Sequence, residues 1–284
     1  MKDNALVVED LKVYYDEFRL YVDYYAIEKG FVTGLIGKNG AGKTTFINAF
    51  LELIRRDSGK IEILGMNFDQ NEVEIKERIA YVNDQFIFPL SLNAERLGKE
   101  IGSFYKNFDY NLFKSFCEKN HLPFTQNFKS YSKGMLAKVA ILFAISYSPD
   151  FIILDEPTAN LDPVSRREFL DLLYDVMQNE NKTILFSTHI TSDLDKIADK
   201  ITLIHDGKIE FTKTKDEIEE DNQIVTIEGD IPSKIRPYLR GVSKTSNGFK
   251  ALCTDTNRFI DDEEFKFQKA SVEDVMYYWE INNG

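Results

Sequence analysis

Apolar and polar residues alternate along ALVVEDLKVYY and again along FRLYVDYYAI, where Phe18, Leu20, Val22 and Tyr24 would share one face of an extended chain. A period of two predicts half-buried strands. The next apolar run, FVTGLIG, has no alternation and reads as a strand covered on both faces. A glycine-rich turn and a helical stretch, TTFINAFLELI, follow it. KIEILG, the charged NEVEIKER and then IAYVN continue as strand, helix and strand, which favours a parallel sheet covered by helices. From about Phe86 to Tyr147 the pattern turns helical and rich in Phe and Tyr, so residues 86–148 are expected to form a helical subdomain. FIIL and TILFS resume the buried strands, with PVSRREFLDLLYDVM as the helix between them. ITLIHDGKIEFTK predicts a hairpin turning at Asp206-Gly207. After the acidic KDEIEEDN the composition shifts. QIVTIEGD and FKALCTD read as strands, and ASVEDVMYYWE as a terminal helix with Val272, Val275 and Met276 at helical spacing. The expected organisation is one α/β unit over residues 1–212 and a smaller α+β unit over 213–284.

Charge and composition narrow the function. A formal net charge of -12 argues against a chain that binds nucleic acid by neutralising phosphates. Two cysteines, Cys117 and Cys253, lack metal-ligand spacing, which points away from a zinc site or disulfide scaffold and towards a reducing compartment. No run of about 18 apolar residues is present, and the start MKDNALVVEDLKVYY has no secretory pattern. A cytosolic protein is expected, with any membrane association supplied by a partner.

The candidate chemistry lies in two stretches. GKNGAGKT, Gly37 to Thr44, sits between a predicted strand and a predicted helix and fits two glycines separated by four residues and followed by Lys and Ser/Thr. Such a loop points backbone N–H groups and a helix dipole at phosphates. Gly37, Asn39, Gly40, Ala41, Gly42, Lys43, Thr44 and Thr45 are therefore candidate nucleotide ligands, with Lys43 reaching the β- and γ-phosphates and Thr44 a Mg²⁺ ion. The second stretch is FIILDEP, where an apolar strand runs into Asp155 and Glu156. Two adjacent acids are a costly way to end a buried strand unless a cation sits at its tip. Asp155 is the candidate metal acid, and Glu156 the group that polarises an attacking water.

With these motifs in place the chain resembles the ATP-binding cassette (ABC) ATPases over roughly residues 1–212. YSKGM, Tyr131 to Met135, is similar to the family's LSGGQ signature, although Lys133 and Met135 depart from it. The resemblance implies that Ser132 and Gly134 contact the γ-phosphate of ATP bound on another subunit, that Asp162 of ANLDP belongs to the D-loop, and that His189 of STH is the switch histidine. It implies an adenine-stacking aromatic at Tyr14, with Tyr15 as the alternative, and a Q-loop in YVNDQ, where either Asp84 or Gln85 faces the metal. The implied fold is the P-loop ABC ATPase: a mixed sheet with helices, an antiparallel β subdomain, an α-helical subdomain and a small α+β C-terminal domain.

The same resemblance implies ATP hydrolysis with Mg²⁺ in a head-to-tail dimer, with an identical or a related subunit, at the cytoplasmic face of a membrane. The partner would be a separate membrane subunit, received by aromatics of residues 84–116. SKGM and the tail are similar to exporters of drugs, antimicrobial peptides and amphipathic peptide toxins. The alternative is a soluble ABC ATPase acting on a partner such as the ribosome.

Overall fold

A computed structural model of the chain describes residues 3–15, 17–179, 182–255, 259 and 265–281. Ten strands form one sheet in the order β5-β4-β1-β2-β10-β9-β3-β8-β7-β6. Its centre is parallel: β3 (Val32–Ile36), β6 (Ile79–Asn83), β7 (Phe151–Asp155), β8 (Thr183–Thr188) and β9 (Lys200–His205). The residues of β3, β7 and β8 are buried throughout, as their unbroken apolar runs require. The flank is mainly antiparallel: β1 (Asn4–Tyr14), β2 (Arg19–Glu28), β4 (Ser58–Ile63), β5 (Met66–Asn67) and β10 (Lys208–Thr214). The β9–β10 hairpin turns at Asp206 and Gly207 with φ of 44° and 73°, the left-handed pair that a two-residue turn needs.

Helices α1 (Lys43–Phe50), α2 (Phe68–Arg78), α6 (Pro163–Asn179) and α7 (Thr191–Ile197) connect the strands. On α1, Phe46 and Phe50 are fully buried, and Phe46 meets Tyr25 of β2 edge to face at 5.3 Å. Between β6 and β7 the chain is helical, with α3 (Ala94–Arg96), α4 (Tyr110–Lys119) and α5 (Lys133–Ile145). Phe143 is the hub of its core, touching Phe88, Tyr105, Phe108 and Phe113 at ring distances of 5.0 to 5.8 Å. Aromatic pairs of this geometry contribute about 0.5–1.5 kcal/mol beyond the area they bury. Most of the Phe and Tyr richness of this region is thus core.

After Thr214 the chain leaves the large sheet through α8 (Lys215–Asp221), which Thr214 and Glu217 close with a reciprocal capping box. A second, antiparallel sheet has the order β12-β13-β11-β14, from β11 (Gln223–Glu228), β12 (Leu239–Thr245), β13 (Gly248–Cys253) and β14 (Lys266–Lys269). Helix α9 (Val272–Glu280) packs Val275 and Tyr278 into a core that also holds Ile224 and Leu252 of this sheet and Leu194 of α7. The C-terminal unit is therefore joined to the large sheet through α9.

One expectation is corrected. Leu20 and Val22 are buried, but Tyr24 is 61% exposed, and Tyr25 and Ile27 take the inward positions after it. The alternation changes phase opposite Asp10, which has a left-handed φ of 50°. Strand β1 changes phase at the same point, with Val8 and Leu11 both buried, so the β1–β2 pairs Glu9–Tyr24 and Leu11–Val22 stay in one register while the β1–β4 register shifts between Glu9 and Lys12.

Candidate functional site

The loop from Gly37 to Gly42 runs from the end of β3 to the start of α1. Gly40 and Gly42 have φ of 86° and 110°, a region that side chains with a Cβ disfavour. A Cβ on Gly37 would lie 2.4 Å from the Ile204 carbonyl, so the loop is pressed against β9. Gly42 caps α1 without a side chain, which leaves the first-turn N–H groups open to a ligand. The loop closes on its own lysine: Lys43, 5% exposed, donates from Nζ to the carbonyls of Gly37 at 2.6 Å and Lys38 at 3.2 Å.

Strand β7 brings the two acids to this loop. Asp155 is buried, and burial holds its carboxyl above the usual value, partly opposed by hydrogen bonds from Ser187 and Thr44. Ser187 on the neighbouring β8 donates to Asp155 and accepts from the Glu156 N–H at 3.2 Å, so one hydroxyl orients both acids. Glu156 has a left-handed φ of 52°, which turns it off the strand. Its Oε1 lies 3.0 Å from Lys43 Nζ and its Oε2 2.7 Å from His189 Nδ1. The carboxylate thus links the loop lysine to the histidine that follows β8.

The histidine's segment is itself anchored. Asp193 of α7, fully buried, accepts from Thr158 Oγ1 at 2.7 Å and from Arg166 Nε at 2.5 Å. Asp193, Thr158, Arg166 and Ser187 carry no signal in the sequence reading, since their roles depend on which elements become neighbours.

Two cavities flank the loop. One, of about 750 Å³, is lined by Tyr15, Phe18, Asn39, Gly40, Gly42, Lys43, Thr44, Thr45 and Glu156. The other, of about 690 Å³, is lined by residues including Thr44, Tyr81, Asp84, Gln85, Asp155, Glu156 and His189. Ala41 makes backbone bonds only, its N–H to the Lys38 carbonyl at 3.1 Å and its carbonyl to the Gly207 N–H at 2.9 Å. Tyr14 lies outside both linings, and its N–H donates to Asp57 at 2.8 Å. Asp84 and Gln85 both face the second cavity, and Asp84 accepts from Asn160 Nδ2 at 3.2 Å.

Ser132, Gly134 and Asp162 are outside these linings. Ser132 is exposed and caps α5, accepting from the Met135 N–H at 3.2 Å. Asp162 is exposed and accepts from the N–H groups of Val164 and Ser165 at 3.0 and 3.1 Å at the start of α6. Gly134 is buried under Ser165.

A strand, a glycine loop that encloses its own lysine, and acids at the end of β7, separated from β3 by β8 alone, define a P-loop nucleotide-binding protein. The ABC transporter family model matches residues 24–159. Bacitracin transport ATP-binding protein BcrA of Bacillus licheniformis is 35% identical over 187 residues, covering 64% of this chain and 60% of that protein. Energy-coupling factor transporter ATP-binding protein EcfA2 of Clostridioides difficile is 31% identical over 260 residues, covering 83% of this chain and 88% of that one. A solved structure of an ATP-binding subunit of an ABC transporter superposes with a TM-score of 0.67 at 25% identity, covering 76% of this chain and 92% of that one. The chain belongs to the family of ABC transporter ATP-binding subunits. Among the described residues no helix is long and apolar enough to cross a membrane.

Proposed function

We propose that this chain hydrolyses ATP at the Lys43–Glu156–His189 constellation and so drives a separate membrane subunit. The carrying observation is the Glu156 carboxylate, held between Lys43 and His189 at the mouth of the glycine loop. On this reading Glu156 stands where ATP's γ-phosphate draws both partners away from it. Lys43 and His189 then hold the phosphate, and the freed carboxylate polarises the attacking water. Tyr15 is the better placed aromatic for adenine, since it lines the loop's cavity.

A magnesium ion fits the donor set. Among the described residues no group of three or more His, Cys, Asp or Glu side chains could hold a metal by itself. The site instead offers a hydroxyl, Thr44, and one buried carboxylate, Asp155, with Asp84 and Gln85 across the cavity. Few carboxylates together with substrate phosphates is the pattern that suits Mg²⁺. Bound there, the ion would neutralise charge on the phosphates.

Ser132, Gly134 and Asp162, remote from the loop in one chain, would complete the site on a second chain in a head-to-tail dimer. We further propose export as the direction, supported by the likeness of the SKGM signature and the tail to exporters, and peptides or drugs as the cargo class, supported by the likeness to the bacitracin transport protein BcrA. Copurification tests it: the Glu156→Gln chain, tagged and loaded with ATP, should recover a multi-helix membrane protein from membranes. Recovery of ribosomes, or of a soluble ATP-bound dimer alone, would refute the transport reading.

A further inference from the structure

The C-terminal helix reaches the glycine-rich loop. Glu280, the last residue of α9, places Oε2 2.5 Å from Nζ of Lys38, the residue after the first glycine of the loop. Its Oε1 lies 3.1 Å from His205 Nδ1 at the end of β9. The Glu280 side chain is only 18% exposed and spans two elements, while the Lys38 side chain is 53% exposed. The pair is anchored on its carboxylate side and screened on its lysine side, so its contribution is modest. Lys38 is equally committed on its backbone side. Its carbonyl accepts from Lys43 Nζ and from the Ala41 N–H, so the residue that Glu280 holds also supports the lysine of the loop.

These contacts bear on nucleotide binding in a definite way. Lys43 is folded back on the carbonyls of Gly37 and Lys38. A phosphate in the loop would draw the ammonium off them and leave the Lys38 peptide to readjust, while the Lys38 side chain stays tethered to α9.

We propose that Glu280 is a positioning residue for the glycine-rich loop, and that through Lys38 it couples nucleotide binding to the seating of the C-terminal unit. The proposal rests on the reading of this loop as the ATP site. Coupling of this kind is reciprocal: if nucleotide shifts α9, then a seated α9 favours nucleotide by the same factor.

The chain carries its own reporter, because its one tryptophan, Trp279, precedes Glu280. The indole meets Phe211 of β10 edge to face at 5.5 Å and lies 4.1 Å from the Arg240 guanidinium of β12. A small displacement of α9 would alter both contacts and the emission with them.

The experiment is a titration of the full chain with Mg-ADP, following Trp279 emission and measuring bound ADP independently by equilibrium dialysis. The wild-type emission should change with the midpoint of binding. Glu280→Gln and Lys38→Gln should lose the emission change and raise the ADP Kd by about twofold to fivefold, as loss of one partly exposed ion pair implies. Lys38→Arg, which keeps the charge, should retain both properties. Wild-type binding without an emission change, or an emission change that survives in both Gln variants, would overturn the coupling alone. Failure of the wild-type chain to bind ADP would overturn the nucleotide-site reading and the coupling together.

Discussion

Gly134→Ala separates two reasons for a glycine in the signature stretch. Gly134 stands at the second position of α5, and a Cβ there would lie 2.6 Å from both Cβ and Oγ of Ser165 on α6. The hydroxyl can rotate away, but the Ser165 Cβ is fixed to its helix, so α5 and α6 must separate. Overpacking of this kind costs about 1–3 kcal/mol. The gain from Gly to Ala is at most about 1 kcal/mol and smaller in a first turn. The net expectation is a loss of about 1–2 kcal/mol. Urea unfolding monitored at equal m-value should show the midpoint falling by roughly 0.5–1 M. Ser165→Gly in the same chain removes the obstructing Cβ and should recover most of the loss, a coupling only direct contact produces. If Gly134→Ala were as stable as the wild type, or if Ser165→Gly restored nothing, the packing argument would be refuted and the glycine left to its trans role.

Tyr15→Ala should weaken ATP binding by roughly tenfold through loss of one aromatic stack, while Tyr14→Ala should change it less than twofold; nucleotide titration of both variants decides between the two tyrosines. Cys117 and Cys253 are fully buried, and burial pushes the Cys117 thiol up to about 12 and raises that of Cys253. A thiol reagent at about pH 8 should therefore label neither in the native chain and both on unfolding, and prompt native labelling would contradict the packing. Hydrogen bonds with Ser165 hold the Asp162 carboxyl below its usual value of 3.8. Its stabilisation is thus present above that value and lost as pH falls through the lowered folded one, and Asp162→Asn should reduce the difference in unfolding midpoint between about pH 6 and about pH 3.

Much of this was legible because the physics is local. Unbroken apolar runs marked β3, β7 and β8, and Asp206-Gly207 marked its hairpin. GKNGAGKT carried the loop because glycine spacing, lysine and helix start are adjacent in sequence. Other features depend on pairing. The phase change at Tyr24 is shared with the opposite strand, where left-handed Asp10 separates buried Val8 from buried Leu11, and alternation counting along one strand does not register it. Ser187 reaches Asp155 only because β7 and β8 lie side by side in a register that pairs Asp155 with Ser187. The choice between Tyr14 and Tyr15 turns on where β1 ends, since Tyr14 is its last residue and Tyr15 enters the loop's cavity. The Lys38–Glu280 contact was the least legible, because it depends on how a separately built sheet and its helix are seated on the cassette.

The measurement that tests the central claim most directly is steady-state ATP hydrolysis by the wild-type and Glu156→Gln chains, with bound ATP determined separately for each. If Glu156 polarises the attacking water while Lys43 and the glycine loop hold the nucleotide, the variant keeps ATP affinity within a few-fold and loses turnover by about 10²-fold or more. Hydrolysis unimpaired in Glu156→Gln, with ATP bound equally by both chains, would contradict the assignment.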